Sequence, residues 1–408
     1  MYRQLRKAPG LKAGHGGIDV SGKCAVGAVA ISRCAWYNTP IKNIKEMDID
    51  MKLGIIGLPN AGKTTLFNAL TGSRAETGSY SNAAAKANVG VAKVPDERLD
   101  WLAEYYHPKK YTPATIEFVD IPGVGKGQGK GNAALQAIRQ VDALVQVVRC
   151  FENDDIFLEN ADAARDAETL ELELILGDIE LVERRLDRAK KASKSGEKKY
   201  KREIEMCTAL LEHLSDGKSA RDFEFTEEDT DILQDGGLLS IKPVIYVANL
   251  DENGMSHYAE EENYRALSAL AAEKSCAVLP VAAKFEEDIA DMDAEEASMF
   301  MEELGLTERG LDRLIRTSYD LLGYISFLTA GEDDVHAWTI VRGTKAPRAA
   351  GKVHTDIERG FIRAEIVAFE DLKACGTMAA AKEKGLFRLE GKDYVMQDGD
   401  ITNFRFNI

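Results

Sequence analysis

Lys63 and Thr64 lie at the centre of the stretch KLGIIGLPNAGKTTLFNAL, residues 52–70, in which an apolar strand, a glycine-rich loop and an amphipathic helix follow one another. Gly57, Gly62, Lys63 and Thr64 fit the spacing GxxxxGK[ST], and a strand before and a helix after are the context that spacing requires. The chemistry explains the residue types. Glycines let backbone N–H groups, those of Ala61 and Gly62 included, converge on phosphate oxygens at a helix N-terminus, whose dipole also favours an anion. Lys63 then reaches the β- and γ-phosphates, Thr64 ligates Mg2+ and Thr65 touches the α-phosphate. A second apolar strand, TIEFVDIPGVG, ends in Asp120-Ile-Pro-Gly123. A carboxylate at that strand end is suited to the Mg2+ shell, and the Gly123 N–H to a γ-phosphate. Lys63, Asn60 and Gly123 are thus the candidates for catalysis, and Thr64 and Asp120 for the metal.

Two positions bear on hydrolysis. Ras-type enzymes carry a water-orienting glutamine just after DxxG, whereas this chain has Val124, which neither donates nor accepts a hydrogen bond. Asn60 offers another route. Its amide oxygen can help seat a monovalent cation, K+, beside the β- and γ-phosphates and stabilise developing charge there; its plainer reading is a loop residue bonding its own backbone. Between the phosphate-loop helix and NVGVAK lies a run of small residues with Thr77, Ser79 and Ser81 as its hydroxyls. The threonine that should reach Mg2+ from this segment is left unassigned.

The base reader is altered. Where guanine-specific proteins carry Asn-Lys-x-Asp, the strand KPVIYVANLDE ends in Asn249-Leu250-Asp251-Glu252, and the next strand ends in Ala282-Ala283-Lys284, a platform for the base. Leu250 stands in place of the lysine that packs over the base, and Glu252 carries its carboxylate one methylene further out. Both changes weaken guanine selection, and an amide such as Asn249 can pair with adenine N6 and N7. The residues therefore favour ATP, with GTP or weak selectivity as alternatives.

The elements that must position these groups belong to a chain of 408 residues, long enough for two or three domains with real cores. The net charge of −16 excludes a protein that coats nucleic acid with its whole surface, but it leaves room for a local basic patch. One exists. Ile175, Ile179, Val182, Leu186 and Ala189 repeat at 4-3 spacing, as do Tyr200, Ile204, Cys207, Leu211 and Leu214 after a Ser195-Gly196 turn. This predicts an antiparallel coiled-coil hairpin. Its tip, residues 183–202, holds ten Lys/Arg against three acids. A solvated helix face is the plain reading; a phosphate-backbone contact fits so asymmetric a tip better. The six cysteines are scattered without metal spacing, as expected for free thiols in a reducing cytoplasm. No stretch reaches the ~20 apolar residues of a membrane span. Residues 1–50 are rich in Gly and Ala without period and read as an upstream extension, with Met47 or Met51 as alternative starts.

Taken together, GLPNAGKTTLFNAL, NVGVAKVPDERL, DIPG, VVRCFEND and NLDE resemble the Obg-like ATPases of the YchF type. WTIVRGTKAPRAAGKVHTDIERGFIRAEIVAFEDL and GKDYVMQDGDITNFRFNI resemble that family's TGS domain. The resemblance runs from residue 51 to the end. It implies an α/β P-loop NTPase with an inserted hairpin and a C-terminal β-grasp domain. It implies ATP hydrolysis in preference to GTP through an NxxE reader, matched by Asn249 and Glu252. It also implies a hydrophobic residue at Val124 and association with the ribosome. The chain departs from the family's pattern at Ala84, where a threonine is usual, and in the shortened loop after DxxG, where Gln128 is the remaining polar candidate to orient water. The expected layout is an extension at 1–50, a nucleotide domain at 51–170 and 238–322, the hairpin at 171–237 and the TGS domain at 323–408. Its expected partners are ATP and the ribosome or its RNA, with neither membrane nor DNA.

Overall fold

Strands whose residues are all apolar or small, such as LGII at 53–56 and VIYVA at 244–248, have no side to show to water and must lie inside a sheet covered on both faces. The computed structural model describes residues 51–73, 88–123, 133–152, 160–193, 198–233, 237–290 and 292–407. Thr77, Ser79, Ser81, Ala84, Val124, Gln128, the Ser195-Gly196 turn and residues 1–50 lie outside them. The described strands begin with β1 (Lys52–Ile56), β2 (Asn88–Lys93), β3 (Lys110–Thr112), β4 (Thr115–Asp120), β5 (Ala143–Arg149), β6 (Val244–Asn249) and β7 (Ala277–Val281). They continue with β8 (Tyr324–Ala330), β9 (Asp334–Val341), β10 (Phe361–Ala368), β11 (Arg388–Glu390) and β12 (Asp400–Phe406).

The first sheet has the order β2-β4-β1-β5-β6-β7, parallel except for the edge strand β2. The strand period of two sends alternate residues to opposite cores. Leu53, Ile55, Val145 and Val247 pack with Leu66, Phe67 and Leu70 of the phosphate-loop helix Lys63–Thr71. Ile56, Leu144, Val148 and Tyr246 pack on the other face, with Ala163, Ala167, Leu170 and Leu174 of helix Ala163–Ala192.

That helix is longer than the sequence period indicates. It starts at Ala163, so the boundary expected at 170/171 falls inside it, and its first turns are rooted in the nucleotide domain. From Ile175 onward it packs against helix Lys198–Ser215 through Val182, Leu186, Cys207, Leu210 and Leu214. Arg185 and Glu203, on opposite sides of the connection, form an ion pair of 2.7 Å, as two helices running back on each other require. At the root, buried Glu171 accepts from Arg221 at 2.7 Å and from Lys274, which ties the hairpin to its return segment and to the nucleotide domain.

The second sheet has the order β11-β10-β12-β8-β9-β3. Its first and last long strands, β8 and β12, are parallel, and β8–β9, β10–β12 and β10–β11 are antiparallel. The expected boundary at 322/323 is not a packing boundary. Strand β3, from the nucleotide half of the chain, pairs with β9 at Lys110–Asp334, Tyr111–Val335 and Thr112–His336. The core under the phosphate-loop helix continues without interruption through Leu328, Val335, Val367, Phe369 and Ile401. Arg98 closes the seam from its surface, bonding Asp96 and Asp398 at 2.8 Å each, while Asp398 also accepts from the Ser326 N–H. No described helix is long and apolar enough to cross a membrane.

Candidate nucleotide site

The loop between β1 and helix Lys63–Thr71 is held by close approaches that only glycine permits. A Cβ at Gly57 would lie 2.5 Å from the Val147 carbonyl oxygen, and one at Gly62 would lie 2.2 Å from Asn249 Nδ2. Gly62 also has φ +95°, a left-handed conformation costly for other residues. Asn60 takes the left-handed region as well, at φ 61°, and its side chain is exposed. Asparagine is among the few side chains that tolerate this.

Lys63, Thr64, Asp120 and Gly123 come together at the ends of β1 and β4. Lys63 is buried, and its Nζ donates to the Leu58 carbonyl at 2.8 Å. Burial pulls its pKa down to about 8, an effect the nearby Asp120 charge partly offsets. A Cβ added to Gly123 would stand 3.3 Å from Lys63 Nζ, so the Gly123 backbone lies directly beside the ammonium. The Thr64 hydroxyl donates to Asp120 Oδ2 at 3.0 Å. Burial pushes the Asp120 carboxyl up, while bonds from Thr64 and Asn88 and the charge of Lys63 hold it down. One hydroxyl and one carboxylate side by side suit Mg2+, which keeps most of its waters and takes one or two protein oxygens plus phosphate. No group of three or more His, Cys, Asp or Glu among the described residues is arranged to hold a metal by itself. Thr65 follows in the first turn of the helix, half-buried.

Asn249 has a structural part in addition to any base contact. Its Nδ2 donates to the Ala61 carbonyl at 2.9 Å, and its Oδ1 accepts from the Ala283 N–H at 3.1 Å. The side chain is a strut between the phosphate loop and the segment after β7, with both ends of the amide committed to backbone. Leu250 does not lie over a base. It is 3% exposed within the core cluster that contains Met255 and Leu267, and its N–H extends the ladder to Val281. Glu252 is exposed at the start of helix Glu252–Ser256, and Asp251 caps that helix by accepting from the Gly254 N–H at 2.6 Å. Of the tetrad, Asp251 and Glu252 are exposed, and Asp251 is engaged in the helix cap. Sequence reasoning missed Asn88, which bonds Asp120 from the neighbouring strand; its signal was the asparagine opening NVGVAK immediately after the unassigned segment.

The tip of the hairpin carries less free charge than its composition implies. Arg185 is paired with Glu203 and also bonds the Ile232 carbonyl, and Arg202 is held by Asp229 at 2.6 Å. Arg184, Arg188, Lys190, Lys191, Lys199 and Lys201 are exposed; the side chains of Lys194 and Lys198 are outside the described residues.

Comparison with known proteins gives one answer. A family profile described as "50S ribosome-binding GTPase" matches residues 52–182, and the YchF-type GTPase C-terminal profile, described as a protein of unknown function, matches 324–407. The "Ribosome-binding ATPase YchF" of Bacillus subtilis (strain 168) is 48% identical over 361 residues, covering 87% of this chain and 99% of its own length. "Obg-like ATPase 1" of Oryza sativa subsp. japonica is 39% identical over 365 residues, covering 88% and 92%. The solved structure of the Schizosaccharomyces pombe YchF GTPase superposes with a TM-score of 0.77 at 34% identity, covering 87% of this chain and 98% of that one. A G-type P-loop fold with a YchF C-terminal region, matched over nearly the full length of such relatives, places this chain in the YchF family of Obg-like ATPases.

Proposed function

We propose that the protein is a cytoplasmic, ribosome-associated switch that binds ATP with Mg2+ and hydrolyses it to ADP and phosphate. The observation that carries this reading is the convergence of Lys63, Thr64, Asp120 and Gly123 at the head of a phosphate loop. In this reading the backbone of Ala61 and Gly62 binds the phosphates, and Thr65 meets the α-phosphate. Lys63 supplies the charge at the β- and γ-phosphates, and the Gly123 N–H fixes the γ-phosphate. Mg2+, when bound, neutralises phosphate charge, with Thr64 and Asp120 as its protein ligands. Asn60, exposed on the loop, is proposed to help seat K+ beside the same phosphates.

Relatives bear the words ATPase and GTPase alike, so the base must be argued from residues. A carboxylate reads guanine by accepting from N1–H and N2–H2 when it is held at a fixed reach. Glu252 has the longer arm, and the position that carries lysine in a guanine reader is Leu250, turned into the core. The backbone of Leu250 and Ala283, braced by Asn249, is left to meet the adenine edge. ATP is favoured, with GTP hydrolysis as the rival reading. A nucleotide-sensing scaffold with negligible turnover is the other rival, motivated by Val124. Single-turnover hydrolysis with and without ribosomes tests it: release of phosphate that ribosomes accelerate is expected, and none under either condition would leave the scaffold.

For the ribosome, the reading joins two surfaces. The exposed lysines and arginines of the hairpin tip suit the phosphate backbone of ribosomal RNA. The C-terminal sheet, whose parallel β8–β12 pair is flanked by antiparallel strands, is consistent with a β-grasp binding module of TGS type.

A further inference from the structure

Asp120 sits at the end of β4, and the residue directly opposite it on the antiparallel neighbour β2 is Asn88. Directly opposed residues on an antiparallel pair face the same side with Cβ atoms about 4.5–5.5 Å apart, within reach of an amide and a carboxylate. The Asn88 side chain makes that bond, donating to Asp120. The strand that carries it is pinned in height two residues further on. A Cβ at Gly90 would lie 2.6 Å from Thr71 Cγ2 and 3.0 Å from Phe67 Cζ, so β2 is pressed onto the end of the phosphate-loop helix. The same helix supplies Thr64 at its other end. Asn88 and Thr64 therefore grip one carboxylate from two sides, and the loop helix sets the position of both.

From this geometry we infer that Asn88 is a positioning residue for the Mg2+ carboxylate. The inference rests on the proposed nucleotide site and adds a residue to it. The Thr64 hydroxyl donates its proton to Asp120 and keeps its lone pairs for the metal, so one rotor serves both; the Asn88 amide, from the neighbouring strand, holds the carboxylate from a second direction and keeps it aimed. A hydrogen-bonded carboxylate also keeps its orientation when a cation arrives, instead of rotating to find it. Partners of metal-ligating side chains matter on this scale: their loss typically weakens metal affinity about 10–100-fold.

The test is calorimetric titration of ATP into the full chain at graded Mg2+ concentrations and in EDTA, with Mn2+ binding to the ATP complex followed by electron paramagnetic resonance. Asn88→Ala should raise the Mg2+ and Mn2+ requirement by about 10-fold or more, while ATP affinity in EDTA stays within about twofold of the unaltered protein. Asn88→Ser, which keeps a shorter donor, should fall between. Val91→Ser, exposed on the same strand, reports damage to the strand itself and should leave all values unchanged. An unchanged metal requirement in Asn88→Ala overturns the inference while leaving the nucleotide site intact, and so does an equal loss with and without metal. Failure of the unaltered protein to bind ATP at all would remove the site and the inference together.

Discussion

The proposed phosphate site depends most on Lys63. No other described cation stands within the loop, and its ammonium is buried against the Leu58 carbonyl beside Gly123. Lys63→Ala should weaken ATP binding by about 10–100-fold, the worth of about 1.5–3 kcal/mol for a charge-assisted bond; titration calorimetry checks it. The residue also sets a pH limit. Its pKa is lowered to about 8, so above that pH the free protein holds a neutral amine where the phosphate needs an ammonium. ATP affinity should fall as pH rises through about 8. The fold responds with the opposite sign: between about 8 and the ordinary lysine value of 10.5, the unfolded chain binds the proton and the folded one does not, so stability rises with pH there. Asn60 makes a separate prediction. Hydrolysis should run faster in K+ than in Na+, and Asn60→Ala should abolish the difference; equal rates in both salts for the unaltered protein would return Asn60 to a plain loop role. Some of this was legible in sequence because the phosphate loop is a local pattern. The part of Asn249 was not, since an amide's partners depend on where Ala61 and Ala283 meet in space. The burial of Leu250 was not either, because one apolar residue at a strand end gives no period from which to read its direction.

The hairpin is the element with the clearest sequence signature and the clearest revision. Two seams at helical spacing suffice to read two helices, and buried Val182, Leu186, Cys207 and Leu214 occupy the shared core. The start of the first helix was hidden because Ala163, Ala167, Leu170 and Leu174 keep the same period while packing against the sheet instead of the partner helix. The charge of the tip was overread for a similar reason: composition counts Arg185 and Arg202 as free, whereas Glu203 and Asp229 hold them. Reversal of Lys190, Lys191 and Lys199 to Glu should therefore be enough to weaken co-sedimentation with ribosomes. It should also flatten the salt dependence by about 0.7–0.9 in log–log slope for each phosphate no longer neutralised, with ATP affinity unchanged. If the reversed tip pellets with the original slope, the charged run is a solvated face and the C-terminal sheet becomes the better candidate for ribosome binding. At the root of the element, Glu171→Ala would leave Arg221 and Lys274 without their shared partner. Breaking a buried pair in this way costs about 3–5 kcal/mol, which urea unfolding would read.

Across the whole molecule, the nucleotide half and the C-terminal sheet form one body. The fold class was readable from the phosphate-loop motif and the family resemblance, but strand β3 was not. Its three residues, KYT, are too few to carry a period, and their partner β9 lies more than 200 residues away. With a common core and the Arg98–Asp398 contact across the seam, the two halves should unfold in a single cooperative transition, and two separate transitions would contradict that packing. The same connection puts the ladder of β3 and β9 only a few residues upstream of Asp120, so the site and the C-terminal sheet share a rigid path. In the proposed function, the residues of this site favour ATP over GTP. The direct measurement is titration of ATP and GTP, each with Mg2+, into one preparation of the full chain. ATP should bind at least about tenfold more tightly, a difference of about 1.4 kcal/mol, and Glu252→Asp should narrow the gap. Equal affinities, or tighter binding of GTP, would contradict that selection.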